Sequence, residues 1–296
     1  MARSGLRQDR AARRRLRRDQ VNRLLPNALT MLGLCAGLTA IRFGMEGRWA
    51  VGIVLIAGAA LLDTLDGRIA RLMGGPTEFG GQLDSLVDAI SFGVAPVLLM
   101  YMWSLEKAGG LGWAIAVLYV VGCVLRLARF NVAATNPDIP AWAGSYFSGV
   151  PAPAGAGLVL LPIILGVELG WEFVQSPWAT ITWTLLAATL MISRLPTYSF
   201  KRTRVSQRYF TVVMAGIAVF AVAMFTEPMI TLAGAIIAYA TTIPFAIKSF
   251  QKLKKEDQSK ELEPEIAIDL EDLEGVDGPD NIERPDDITT ETDETR

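Results

Sequence analysis

The amino-acid sequence predicts an all-α, polytopic membrane protein, a bundle of about eight transmembrane helices. Three features predict it. Apolar residues make up 51% of the 296 positions and gather into eight runs near 27–43, 49–72, 83–103, 111–130, 150–167, 177–193, 209–226 and 229–247, most of them close to the ~20 residues that span a bilayer. Charge is segregated: residues 1–25 hold nine arginines and residues 256–296 hold seventeen acidic side chains, so the net charge of −2 is a cancellation between two ends. The connections between runs alternate between basic and nearly uncharged, as the positive-inside rule requires.

The chain reads in order as a basic cytoplasmic segment (1–25), a transmembrane domain (26–250) and an acidic tail (251–296). A basic start before an apolar run is also the pattern of a cleavable signal peptide; a first transmembrane helix is the preferred reading. The arginines serve either as a topology signal or as contacts for anionic headgroups. With the N-terminus inside, the external connections at 43–49, 104–110, 168–176 and 226–229 hold only Arg48 and Lys107, with Arg42 at a helix edge. The internal ones are richer: 194–208 carries Arg194, Lys201, Arg202, Arg204 and Arg208, and Lys248, Lys252, Lys254 and Lys255 follow the last helix. An even number of helices then places both termini in the cytoplasm, at the cell (inner) membrane. The fourth and fifth helices have the weakest boundaries, because Arg126 and Arg129 interrupt one and a Pro/Gly-rich segment, Pro137 to Pro153, precedes the other. The tail after Lys255 is acidic, poor in aromatics and interrupted by Pro264, Pro279 and Pro285, a composition that predicts disorder.

The absence of histidine removes the usual general base and the usual transition-metal ligand, so acid–base work falls to carboxylates. Cys35 and Cys123 lie in apolar runs and read as packing residues. No nucleic-acid partner is expected.

The chemistry is concentrated in Asp63-Thr64-Leu65-Asp66-Gly67-Arg68-Ile69-Ala70-Arg71 and in Gly80-Gly81-Gln82-Leu83-Asp84-Ser85-Leu86-Val87-Asp88. Positions 63, 66, 67, 70 and 71 share one helical face, and 80, 84 and 88 share another. A connection of about ten residues lets the two helices run antiparallel, so that both stripes converge near the cytoplasmic surface. An aspartate at the centre of a membrane helix costs about 2.5–3.5 kcal/mol, so four together demand a neutralising cation. With only oxygen ligands on offer, hard divalent ions such as Mg²⁺ or Mn²⁺ fit, and they bind phosphates alongside carboxylates. Arg71 is placed to hold a phosphate oxygen, and Gly67, Ala70 and Gly80 leave room for a substrate. The competing readings are ion pairs of the aspartates with Arg68 and Arg71, and a cation or proton transporter; the paired glycines and the arginine beside the acids argue against transport.

These residues match D-x2-D-G-x2-A-R-x8-G-x3-D-x3-D at all eight fixed positions from Asp63 to Asp88, a chance coincidence on the order of 10⁻¹⁰ per start position. The segment thereby resembles the CDP-alcohol phosphotransferase family. That resemblance implies a membrane enzyme, usually a homodimer, that transfers a substituted phosphate from a CDP-linked donor to an alcohol and releases CMP. It implies two divalent cations held by Asp63, Asp66, Asp84 and Asp88, with Asp88 also the catalytic base, and a CDP site lined by Gly67, Arg71 and Gly80. Asn27 and Thr30, one turn apart, either contact the nucleotide or cap the first helix. Pro26-Asn27-Ala28-Leu29-Thr30, Ser91-Phe92-Gly93-Val94-Ala95-Pro96, Arg126-Leu127-Ala128-Arg129-Phe130-Asn131 and Phe147-Ser148-Gly149-Val150-Pro151-Ala152-Pro153-Ala154 are similar to the serine-using branch of that family, over about residues 24–250. CDP-diacylglycerol and serine are therefore the expected substrates. Arg126 or Arg129 would hold the serine carboxylate through paired hydrogen bonds, the alternative being positive-inside anchors at a helix end. Sister enzymes that use glycerol 3-phosphate, inositol phosphate or choline share the metal and nucleotide residues, and the basic connection at 194–208 keeps an acceptor with its own phosphate open.

Overall fold

The computed structural model describes residues 2–73, 75, 77–134, 146–193, 195–198, 210–247 and 249, with residues 2–23 through their backbone. The acidic tail with its expected disorder, and most of the basic connection at 194–208, lie outside these residues. The helices are α1 (Ala2–Met45), α2 (Trp49–Leu72), α3 (Glu78–Asp88), α4 (Ala95–Trp103), α5 (Gly110–Ala134), α6 (Ala152–Glu168), α7 (Pro177–Ile192), α8 (Phe210–Thr226) and α9 (Pro228–Ile247). Because α3 and α4 form one continuous span, Glu78–Trp103, the eight expected spans are all present. Five of them, of 20 to 26 residues, are long and apolar enough to cross a membrane. α6, α7 and α8, with 17, 16 and 17 residues, reach ~25 Å at 1.5 Å per residue, just under the ~30 Å hydrocarbon core. The chain is a multi-pass membrane protein.

Two boundaries differ from expectation. α1 begins at Ala2 rather than near residue 27, because Arg, Ala, Leu and Gln are good helix formers and carry the helix out of the apolar run into the basic one. Asn27 and Thr30 are therefore interior to α1, and neither caps it. The third span begins at Glu78, so the link from α2 is residues 73–77 and not about ten residues. Thr77 sets that start, its hydroxyl accepting the N–H of Gly80 at 3.0 Å as an N-cap.

Prolines inside spans leave carbonyls unsatisfied, and at Pro96 and Pro162 a side chain from another helix repairs the loss. Pro96 has no N–H to give the carbonyl of Phe92 four residues back; between α3 and α4 the chain widens into a π-helical stretch, Ala89–Val94. Tyr119 of α5 donates to that Phe92 carbonyl at 3.1 Å. Pro162 likewise frees Leu158, whose carbonyl accepts the Trp183 indole N–H from α7 at 2.6 Å. Lipid offers no replacement donor. Tyr119→Phe is therefore expected to cost about 1 kcal/mol, read as a lowered thermal midpoint in detergent, with catalysis at low temperature unchanged.

α1 packs along α2 and also against α3 and α4, α5 against α7, and α4 against α6; Ile53, Ile56, Phe92, Leu99, Val159 and Ile163 belong to one shared core. α9 lies on α6, where a side chain on Gly157 would meet Ile236 at 3.0 Å. α8 exposes Val212, Val219, Val222 and Phe225, apolar side chains suited to lipid. Among the described residues the departure from helix is a short antiparallel ribbon, β1 (Tyr146–Ser148) with β2 (Pro196–Tyr198), in which Phe147 faces Thr197. Gly149 follows β1 at φ +82°, where a Cβ would stand 2.7 Å from the carbonyls of Met191 and Ser193; only glycine turns the chain into α6 this close to the end of α7.

Candidate active site

Asp63 and Asp66 stand one turn apart near the end of α2, and Asp84 and Asp88 one turn apart on α3. Since residues 73–77 join the two helices, all four lie at the same end of the bundle. α1 packs against both helices and contributes Thr30 and Gly33 to the cleft between them, which Asp63, Asp66, Asp84, Asp88, Ser91 and Phe92 also line. One carboxylate oxygen each from Asp63, Asp66 and Asp84 lies within 4.8 Å of the others. Asp88 shares the cleft but not that trio. The space in and around the cleft, open solvent at its mouth included, is about 200 Å³, so a diphosphate held there extends out of the cleft.

Among the described residues the trio has no cationic side chain in an ion pair with it. Ion pairs among the described residues are Arg42 with Glu46 and Arg48 with Glu46, whereas Arg68 and Arg71 are exposed. Pairing of the aspartates with those two arginines is not what the structure holds. Asp66 is only 4% exposed, so water does not neutralise it, and three clustered carboxylates with oxygen-only chemistry form a group that can hold a divalent cation. The donor set fits the metal that the family motif implies.

Around the carboxylates, α1 supplies two contacts. Thr30, 6% exposed, donates its hydroxyl proton to Asp66 Oδ2 at 2.6 Å, its oxygen also lying 3.1 Å from the Pro26 carbonyl. Asn27 reaches α3, its Oδ1 standing 3.0 Å from where a Cβ on Gly80 would be, so Gly80 admits the asparagine. Gly67 is different: a Cβ there would meet only Arg71 Nη1, at 3.9 Å. No protein atom needs the absence of that side chain, and the open space is available to a ligand held by Arg71.

The two arginines of α5 separate. Arg129 donates through Nη2 to the carbonyl of Ile192 at 2.6 Å, tying α5 to the end of α7. Arg126 is 9% exposed, and its Nε has no partner; it lies within electrostatic reach of Asp88 and Asp63. Sequence reasoning missed the Thr30–Asp66 bond and the bond from Asn131 Nδ2 to Ser85 Oγ at 2.8 Å, which fastens α5 to the helix bearing Asp84 and Asp88. Thr30 is 36 residues from Asp66 and Asn131 is 46 from Ser85, so no local pattern announces either.

Residues 23–199 match the CDP-alcohol phosphatidyltransferase family, and the chain belongs to it. Within that family it is similar to the CDP-diacylglycerol–serine O-phosphatidyltransferase of Mycobacterium leprae, 40% identical over 236 residues that cover 80% of this chain and 78% of the relative. The enzyme of the same name from Helicobacter pylori is 32% identical over 206 residues, 70% of this chain and 83% of the relative. The archaetidylserine synthase of Methanothermobacter thermautotrophicus is 36% identical over 134 residues, 45% and 54% of the two chains.

Proposed function

We infer that this protein transfers the phosphatidyl group of CDP-diacylglycerol to the hydroxyl of L-serine, giving phosphatidylserine and CMP. The observation that carries the reading is the clustered trio Asp63, Asp66 and Asp84 in a chain similar over most of its length to enzymes named for that reaction. Asp63, Asp66, Asp84 and Asp88 would hold two divalent cations, Mg²⁺ or Mn²⁺, whose charge when bound offsets that of the diphosphate and of the leaving CMP. Asp88, beside the trio rather than within it, takes the proton of the serine hydroxyl. The serine oxygen forms a bond to the phosphorus that bears diacylglycerol, and the bond from that phosphorus to the CMP oxygen breaks. Gly67, Arg71, Gly80 and Asn27 line the CDP moiety. Arg126 rather than Arg129 holds the serine carboxylate, because its guanidinium has an unpartnered Nε and lies within electrostatic reach of Asp88 and Asp63, while Arg129 is occupied at Ile192.

The distribution of Lys and Arg supports an orientation with both termini and the active site cytoplasmic, in the cell (inner) membrane. The catalytic unit would be 26–250, working as a homodimer, with 1–25 and 251–296 outside it. Purified protein given CDP-diacylglycerol, Mg²⁺ or Mn²⁺ and, separately, serine, glycerol 3-phosphate, inositol phosphate or choline should release CMP with serine alone. Release with another acceptor keeps the family and discards serine; release with none discards the reading.

Thr30 allows a sharper test of the site. Thr30→Val removes the donor that orients Asp66, and loss of such an outer partner lowers metal affinity about 10–100-fold. The Mg²⁺ or Mn²⁺ concentration for half-maximal CMP release should rise by that factor, with KM for CDP-diacylglycerol little changed. A raised lipid KM at unchanged metal dependence would instead assign Thr30 to the nucleotide.

A further inference from the structure

Serine carries its hydroxyl and its carboxylate on one small molecule, so the group that anchors the carboxylate and the group that takes the hydroxyl proton must stand at a fixed separation. Here those groups come from different helices, Arg126 from α5 and Asp88 from α3. The two helices are not each other's main support. Both pack on the π-helical stretch Ala89–Val94, but α3 lies chiefly against α1 and α5 chiefly against α7. A direct tie between them is the hydrogen bond from Asn131 Nδ2 to Ser85 Oγ, 2.8 Å long. Ser85 falls between Asp84 and Asp88 on α3, and Asn131 follows Arg126 by little more than one turn of α5.

The bond has a set direction. The Ser85 hydroxyl donates to the Gly81 carbonyl of its own helix at 3.1 Å, which leaves its lone pairs to accept the Asn131 amide. Both side chains are half-buried. Arg129, two residues before Asn131 and so nearly opposite it around the helix, donates to the Ile192 carbonyl at the end of α7. The end of α5 that carries Arg126 is thus held from two sides, and the Asn131 side leads to the helix of the base.

We propose that Asn131 is a positioning residue for the transfer step, tying α5 to α3 through Ser85 so that a serine anchored at Arg126 presents its hydroxyl to Asp88. The inference rests on the functional reading above and adds to it what fixes the separation of anchor and base. The metal trio does not depend on this tie, because Asp63 and Asp66 on α2 and Asp84 on α3 are brought together by the link 73–77 and by α1, which packs on both helices. Loss of the tie therefore acts on turnover rather than on donor or metal binding.

The test uses the full-length protein in detergent and compares wild type, Asn131→Leu, Ser85→Ala and the double variant. CMP release is read against serine and against CDP-diacylglycerol, and the rise in thermal midpoint on adding Mn²⁺ is read alongside. A misplacement of ~1 Å at a reacting centre costs about 10²-fold, so a tie lost between helices that keep their other packing should cost about tenfold. Each single variant should lower kcat by that factor, with both KM values within about threefold of wild type and the Mn²⁺ shift intact. Because the two side chains act as one tie, the double variant should be no slower than the slower single one. Ser85→Ala removes the acceptor without touching α5, and it decides the matter where Asn131→Leu folds poorly. Unchanged kcat in Ser85→Ala, losses that multiply in the double variant, or a reduced Mn²⁺ shift overturns the inference and leaves the functional reading in place. Wild type that releases CMP with another acceptor and not with serine overturns both together, so the two failures are distinguishable.

Discussion

Replacing Asp88 by asparagine is expected to lower kcat for CMP release by about 10³-fold or more, while KM for CDP-diacylglycerol stays within a few-fold of wild type. The reason is geometric. Asp63, Asp66 and Asp84 present oxygens within 4.8 Å of one another without Asp88, so a donor bound through its diphosphate keeps its anchoring carboxylates in the variant. What disappears is the group beside them that can take the hydroxyl proton, and general-base catalysis contributes roughly 10²–10⁴-fold. Asparagine keeps the shape and an oxygen but cannot accept that proton. Steady-state rates at saturating serine and metal check the expectation. Near-normal turnover would end the role of Asp88 as base, and a loss confined to donor KM would make it a ligand only.

The span count and the convergence of the four aspartates were legible in the sequence for simple reasons. Bilayer thickness fixes the length of an apolar run, and a spacing of three or four residues fixes a helical face. Neither rule sees across the bundle. The start of the third span at Glu78 follows from the Thr77 cap, a local signal just upstream of the apolar run that hydropathy does not register. The π-helical stretch at Ala89–Val94 had a signal in Pro96, but its stability depends on Tyr119 donating across 27 residues. The ribbon joining Tyr146–Ser148 to Pro196–Tyr198 pairs two segments that carry no alternating apolar pattern, so nothing in either predicts the other.

The same distinction divides the site. Composition and spacing identify Asp63, Asp66, Asp84 and Asp88, yet they cannot rank Arg126 against Arg129, which are three apart on one helix. The tertiary structure ranks them by what each already touches: a carbonyl of α7 for Arg129, no partner at Nε for Arg126.

Asp84→Asn should nearly abolish CMP release, by about 10³-fold, and should do so through the metal. Asp63 and Asp66 are neighbours on one helix, whereas Asp84 is the member of the trio supplied by α3. Removing its charge leaves a cation bound from one side only. The same change relieves like-charge repulsion in a poorly solvated cluster, so the metal-free variant should unfold at the same temperature as metal-free wild type or higher. Binding to the folded state alone stabilises by RT ln(1 + [L]/Kd), about 2.7 kcal/mol at a hundredfold excess over Kd. Mn²⁺ should therefore raise the midpoint of wild type and leave that of Asp84→Asn nearly unmoved, and a chelator should return wild type to its metal-free value. This readout needs neither substrate nor turnover, so it separates the metal site from the identity of the acceptor. A variant that gained the full Mn²⁺ shift would show that the cation binds elsewhere; one that lost midpoint and shift together would mark Asp84 as a structural residue rather than a ligand.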